Sequence, residues 1–255
     1  DLTALAEALH NIQNHAPATF LEGLQLFWIY AVISDLMNYG RMDVYLGDLY
    51  VQDIEKGILD EEEAIRLMSA LYRRFIQVHK IHDTRVIIGG KGRRNEKNAD
   101  ALAMIIMETS RRIKDVVPQL TLRYYNGMSK EVYDKALQVN AEGTTFPIIY
   151  SDETNIPAVM KVYDVPEEEA ERYLPFGCGE YVLEGLSTGT PNNGVNLLKA
   201  LELTLQDGFD YYHNQQVGIK VGDLEKLDTF EKLWDAYVQQ LQPWVEYVAW
   251  HKKFN

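Results

Sequence analysis

The sequence has 255 residues, of which 46% are hydrophobic and 25% charged, a composition that fits a globular domain and excludes collagen-like, coiled-coil and largely disordered chains. Its net charge of −13 repels phosphate backbones and anionic lipids, so we expect no nucleic-acid partner and no membrane partner. The longest apolar stretches are far shorter than the roughly 20 residues that a membrane span needs.

The first eighty residues are predicted to be mainly helical. Apolar residues recur at helical spacing from Leu2 and again over 20–37, where the pattern predicts a buried helix that Gly40 ends. Asp60 and three glutamates then supply the carboxylates that stabilise a helix N-terminus, ahead of an apolar face over 65–75.

From Thr84 onwards, short β-branched runs alternate with helical patterns. Strands are predicted over 85–89, 119–124 and 146–150, with helices over 98–114 and 129–141 between them. Because continuous apolar strands that alternate with helices are typical of parallel sheets, the middle of the chain is predicted to be α/β.

The last third begins with a predicted helix that has Asp164 as its N-cap and ends near Tyr173. Residues 174–194 contain five glycines and two prolines, and this composition predicts a long functional loop. Helices are predicted over 196–208 and 230–248. The predicted organisation is therefore helical over 1–80, α/β with the glycine-rich loop over 81–194, and helical over 195–255.

The only cysteine, Cys178, lies between two glycines inside that loop. It cannot form a disulfide within the chain, and no signal peptide is present, so we expect a cytoplasmic protein. In an extended segment, residues two apart point the same way, which would align Cys178 with the Glu180 carboxylate. No cation lies between residues 173 and 182, so we expect a neutral thiol. A neutral thiol can exchange a hydrogen atom, which is radical chemistry.

Other interpretations of these residues stay open at this point. Cys178 can be a small buried hydrophobe in a scaffold domain, or a conventional nucleophile. Residues 89–92, Gly-Gly-Lys-Gly, lack the full phosphate-loop pattern and are predicted to form a strand-to-helix turn. His79 and His82 are three residues apart without a third ligand, so we expect no metal site.

Several motifs together resemble the glycyl radical enzyme family, the pyruvate formate-lyase superfamily. They are Gly40-Arg-Met-Asp-Val-Tyr45, Ile88-Gly-Gly90, Pro118-x-Leu-x-x-Arg123, Asp152-Glu153, Phe176-Gly-Cys-Gly-Glu180 and Asn196-Leu-Leu-Lys-Ala-Leu-Glu-Leu203. They follow the family's order along almost the whole chain.

This resemblance implies part of a ten-stranded α/β barrel, about one half-barrel of parallel strands with flanking helices. It implies that Cys178, as a thiyl radical, abstracts hydrogen from a small organic substrate. The stored radical would lie on a glycine of a C-terminal segment that these residues lack. An activating enzyme with S-adenosylmethionine and an iron–sulfur cluster would install it, and no cofactor would be bound here. We therefore expect an internal fragment, inactive without the remainder of the same polypeptide, from an enzyme that is usually a homodimer.

Within the family, the resemblance is to the branch of dehydratases and lyases with a single cysteine. Gly177 stands where pyruvate formate-lyase carries a second cysteine, so acyl transfer is the alternative rather than the main prediction, with a non-catalytic helical scaffold as another. Glu180 would be the general base that promotes loss of the leaving group. Four further residues lie near substrate-lining positions of relatives: Asp35, Asn38, Thr84 and Asn192. Gly179 replaces a frequent valine.

Overall fold

The computed structural model describes residues 2–34, 36, 38–78, 84–177, 179–187 and 194–251. The chain divides into two compact units, Asp1–Thr190 and Pro191–Asn255. The helices described in the first unit are α1 (Leu2–Asn11), α2 (Phe20–Ile33), α3 (Met42–Glu55), α4 (Glu61–Gln77), α5 (Glu96–Ile113), α6 (Lys130–Ala141), α7 (Asp152–Tyr163) and α8 (Glu167–Ala170). Its strands are β1 (Asn38–Arg41), β2 (Arg85–Gly89), β3 (Gln119–Tyr124), β4 (Ile148–Ser151), β5 (Tyr173–Phe176) and β6 (Glu180–Leu183).

The first four strands form one sheet in the order β1-β2-β3-β4, and every neighbouring pair is parallel. This arrangement confirms the predicted α/β class. Strands β2 and β3 have the predicted bounds, whereas β4 starts two residues later than predicted, at Ile148. The preceding Pro147 has no N–H group to donate to a sheet ladder, which favours the later start.

The two faces of this sheet have different compositions. One face presents apolar side chains to the helices and belongs to the main core, with Val86, Ile88, Leu120 and Leu122 all 0% exposed. Because side chains alternate along a strand, the opposite face carries Arg85, Ile87, Gln119, Thr121 and Arg123.

Several predictions from local patterns were wrong. Helix α2 ends at Ile33 rather than at residue 37, and Gly40 lies outside any helix as predicted, but β1, α3 and α7 were not predicted. Asp164 is not an N-cap: its φ of 54° places it in the left-handed region, where it ends α7. Aspartate tolerates this conformation better than most residues, so the same side chain suits either end of a helix. The following helix, α8, ends at Ala170 after a single turn.

The loop predicted over 174–194 contains a β-hairpin. Strands β5 and β6 pair antiparallel, with Tyr173 opposite Leu183 and Phe176 opposite Glu180. The strand residues are mostly aromatic or branched and therefore favour extended backbone. Glycine content indicated a loop, but Gly177 and Gly179 lie at the hairpin turn, and neither strand contains a glycine.

The second unit contains α9 (Leu197–Leu205), short strands β7 (Phe209–Asp210) and β8 (Gln215–Gln216), a 3₁₀ turn (Leu224–Lys226) and α10 (Phe230–His251). Both predicted helices are confirmed. Helix α9 ends three residues early because Asp207 and Gly208 both have positive φ, at 52° and 80°. None of the described helices combines the length and apolar character that a membrane crossing requires.

Candidate active site

Three of the predicted site residues, Asp35, Cys178 and Asn192, lie outside the described residues. The local geometry is therefore given by the hairpin residues on either side of position 178 and by the strands that contact them.

The hairpin turn is tight and rich in polar contacts. The Gly179 N–H donates to the Phe176 carbonyl at 2.9 Å, and Gly177 and Gly179 have φ values of 52° and 125°. The backbone at both glycines is thus not extended. The predicted alignment of Cys178 with Glu180 cannot be compared with it, because position 178 lies outside the described residues. Glu180 is exposed, yet its carboxylate bends back over the turn: a Cβ built on Gly177 would lie 2.7 Å from Glu180 Oε2.

Arg85 holds the first residue of this turn. Its Nη2 atom donates to the Gly177 carbonyl and to Gln119 Oε1, both at 2.7 Å, and its Nη1 atom donates to Thr121 Oγ1 at 2.7 Å. All three acceptors are neutral, and the side chain is buried. A guanidinium therefore lies beside the turn. No local pattern indicates this contact, because Arg85 and Gly177 are 92 residues apart.

The other described candidates lie at the amino ends of β1 and β2. The Asn38 amide donates to the Pro175 carbonyl at 2.8 Å, and its oxygen accepts from the Gly40 N–H at 2.9 Å. Thr84 is buried, and its hydroxyl has no hydrogen-bond partner among the described residues. The structure thus brings Asn38 to the hairpin, where its amide is occupied by backbone contacts.

Tyr150 of β4 borders the other side of the turn. A Cβ built on Gly179 would lie 3.1 Å from the Tyr150 hydroxyl, which is closer than side chains normally pack. The phenol therefore fills the space that a larger residue at position 179 would need.

A buried ion pair anchors the other end of the hairpin. Arg123 donates to both carboxylate oxygens of Asp152, at 2.9 and 2.8 Å, and both side chains are fully buried. Its Nη1 donates to the Tyr173 carbonyl at 2.9 Å, and its guanidinium lies 3.9 Å from the centre of the Tyr173 ring. The Tyr173 hydroxyl donates to Asp152 at 2.7 Å, and burial raises its pKa well above the usual value. Tyr173 is therefore a neutral donor.

The turn after β2 is held by the chain's own charged groups. Arg41 donates to the carbonyls of Gly89, Gly90 and Lys91 at 2.8 to 3.1 Å, while Asp43 accepts from the Gly89 N–H at 2.7 Å. Burial lowers the pKa of Arg41 to about 10 and raises that of Asp43. The turn connects β2 to α5, as the sequence predicts. Among the residues with described positions, no cluster of three histidine, cysteine or acidic side chains is placed to hold a metal ion.

Arg85, Arg123 and Tyr150 are the functional candidates that the sequence analysis did not assign. A usable signal was present for the arginines, since each flanks an apolar strand run. A buried arginine needs several acceptors, so its position in a strand predicts a polar contact network.

Comparisons with known proteins agree with this architecture. The sequence matches the family model of pyruvate formate lyase-like proteins over residues 1–253. It is 25% identical to trans-4-hydroxy-L-proline dehydratase of Clostridioides difficile over 94% of this chain and 33% of that protein. The probable dehydratase YbiW of Escherichia coli is 27% identical, again over 94% and 33%.

A match to a solved structure agrees with these sequence comparisons. The glycerol-bound form of the B12-independent glycerol dehydratase from Clostridium butyricum superposes with a TM-score of 0.64 at 25% identity, over 96% of this chain and 33% of that one. The chain thus spans about a third of the length of its relatives. Two of these relatives are named as dehydratases and the third as a probable dehydratase. The family match over nearly every residue, together with the parallel strands and the Gly-Cys-Gly-Glu hairpin, places this chain in the pyruvate formate lyase-like family.

Proposed function

We propose that the chain is part of a glycyl radical dehydratase that acts on a small hydroxylated organic substrate. The observation that carries the proposal is the hairpin turn, in which Glu180 folds its carboxylate over the glycine directly before Cys178. The named activities of the relatives, which remove water from trans-4-hydroxy-L-proline and glycerol, support the same chemistry.

In the proposed reaction, Cys178 acts as a thiyl radical and removes a hydrogen atom from a substrate carbon, which forms S–H and a carbon radical. Glu180 accepts the proton of the hydroxyl on that carbon in a substrate such as glycerol, or of the ring nitrogen bonded to that carbon in trans-4-hydroxy-L-proline. The C–O bond on the neighbouring carbon then breaks, and the departing hydroxide takes that proton and leaves as water. Cys178 finally returns the hydrogen atom. The glycyl radical, installed on the remainder of the polypeptide by a radical-SAM activating enzyme, supplies the oxidising equivalent for Cys178.

Other predicted roles belong to the same proposal. Thr84, Asp35 and Asn192 are proposed substrate contacts, and Asn38 is proposed to act mainly through its contact with Pro175. The homodimer and the cytoplasmic location stay predictions.

The test uses the full-length protein, activated anaerobically and assayed with trans-4-hydroxy-L-proline, glycerol and other small diols. Cys178→Ser should abolish turnover while the glycyl radical signal in electron paramagnetic resonance persists. Glu180→Gln should lower turnover by about 10²- to 10⁴-fold. Glu184→Gln, which alters an exposed acid at the end of the same hairpin, is the control and should stay near wild type.

Two results would overturn this function. The first is turnover that survives Cys178→Ser. The second is formation of acetyl-CoA and formate from pyruvate and coenzyme A, which would establish acyl transfer instead.

A further inference from the structure

The outer edge of β5, which does not pair with β6, has an unusual set of partners. Carbonyls of alternate residues point the same way along an extended strand, so those of Tyr173 and Pro175 face away from β6, and the Gly177 carbonyl follows directly after the end of the strand. Among the described strands, none pairs with β5 on this side, so no backbone ladder covers these carbonyls. Side chains from three strands donate to them instead: Arg123 to Tyr173 at 2.9 Å, Asn38 to Pro175 at 2.8 Å and Arg85 to Gly177 at 2.7 Å.

These side chains take the place of a neighbouring strand. A buried carbonyl without a donor costs free energy, so each contact fixes the height of the hairpin above the sheet at one point. Pro175 fits this edge because it has no N–H group that would need an acceptor. Of the three donors, only Arg85 reaches the turn.

The contacts of the Arg85 side chain hold its guanidinium in a fixed position. Its side chain is 2% exposed, and contacts to Gln119 and Thr121 on β3 brace the guanidinium from the side. A braced, planar group with several donors loses little further freedom when it binds one more acceptor. The Gly177 carbonyl is therefore held by a rigid group rather than by a flexible surface side chain.

We propose that Arg85 is the positioning residue of the hairpin turn: it fixes the Gly177 carbonyl and thereby sets where the next residue, Cys178, is presented. The guanidinium also places a positive charge beside the turn. The importance of this position for catalysis rests on the proposed function, whereas the anchoring of the turn does not depend on it.

The test measures Cys178 directly, since it is the only cysteine in the sequence. Iodoacetamide alkylates the thiolate with loss of iodide, and the rate is followed against pH by mass spectrometry in wild type, Arg85→Met and Arg85→Lys. A nearby cation favours the thiolate, so Arg85→Met should move the alkylation midpoint to higher pH by about one unit. Arg85→Lys keeps the charge but not the planar set of donors, so its alkylation midpoint should stay near wild type while the turn is held less firmly. Glu180 and Tyr150, the other ionisable groups that the described residues place at the turn, are unchanged in all variants.

Hydrogen exchange of the peptide spanning 173–183 supplies the second readout. Arg85→Met should raise exchange there about tenfold while α4 and α5 keep their protection. Arg93→Met is the control, because Arg93 is also a buried arginine and donates to the Gly90 carbonyl at 3.0 Å, away from the hairpin. It should lower global stability and leave the alkylation midpoint in place.

Three outcomes would overturn the proposal. They are an unchanged midpoint in Arg85→Met, a uniform rise in exchange across the chain, and failure of both Arg85 variants to fold while Thr121→Val folds. Loss of activity in Cys178→Ser without any Arg85 effect would leave the proposed function standing and remove only this inference.

Discussion

A buried arginine determines how one end of the hairpin meets the sheet. Arg123 and Asp152 form a two-bond ion pair with no solvent exposure of either side chain, and Tyr173 and the Lys91 N–H supply further donors to the same carboxylate. Burying two charges is costly, and only this complete set of contacts offsets the cost. The pair is therefore sensitive to the loss of either partner.

Asp152→Ala should lower the free energy of unfolding by about 3 to 5 kcal/mol, since it leaves the Arg123 charge buried without its partner. Urea unfolding followed by circular dichroism measures the loss. Glu153→Ala is the control: this neighbour is exposed, and its contacts to Lys91 and Asn126 lie at the surface. A loss below about 1 kcal/mol in Asp152→Ala would show that the ion pair is not the anchor.

The sequence alone identified the residues of the turn but not what holds them. Cys178 and Glu180 are visible because glycines flank the cysteine and the motif is local. Arg85 is visible only as the first residue of a strand, because its contact to Gly177 joins positions far apart in the chain.

Elements with strong local signals were predicted well. Strands β2 and β3 have the predicted bounds, and the Asp60 side chain caps α4 by accepting from the Glu63 N–H at 2.8 Å. Helix α3 and the hairpin were missed because glycines interrupt or adjoin their patterns. Those glycines have different roles, and the structure distinguishes them by what surrounds each one.

Gly89 and Gly57 form a matched pair for this difference. Both have positive φ, 74° and 65°, but a Cβ on Gly89 would lie 2.6 Å from the Arg123 carbonyl, whereas a Cβ on Gly57 would meet nothing within 4 Å. Gly57→Ala should cost about 1 kcal/mol of stability from backbone strain alone. Gly89→Ala should cost at least about 3 kcal/mol, because that carbonyl belongs to the β3 ladder and cannot move freely.

Thermal and urea unfolding of the two variants, compared with wild type, measure this difference. Equal losses would mean that the end of β2 relaxes around the added methyl group and that close contact does not fix the sheet at this point.

At the scale of the whole molecule, acid should destabilise the folded chain. Contacts lower the pKa of seven described carboxyl groups: Glu22, Asp48, Glu62, Glu63, Glu108, Glu153 and Asp210. A carboxyl whose pKa is lower in the folded state stabilises the fold above its unfolded pKa, and this contribution is lost as the pH falls through that range. Burial raises the pKa of Asp43, so this carboxyl group acts in the opposite direction. It is one group against the seven whose pKa is lowered.

The urea midpoint should therefore fall between about pH 5 and pH 3. Glu108→Gln tests the cause, because hydrogen bonds from Arg111, and then from Lys135 and Arg112, lower the pKa of that carboxyl far below its ordinary value of 4.5. The variant should be less stable than wild type at pH 7 and closer to wild type at pH 3. A destabilisation of the same size at both pH values would contradict the linkage.

The amino-acid sequence by itself determined the α/β class, most helices, the bounds of β2 and β3, and the family. Periodicity, capping residues and ordered motifs are local patterns that can be read directly along the chain. Tertiary structure decided that β1 joins the sheet, that a supposed loop is a hairpin, and that Arg85, Asn38 and Arg123 hold its outer edge. Those contacts satisfy buried carbonyls from positions distant in the chain, so no local pattern encodes them.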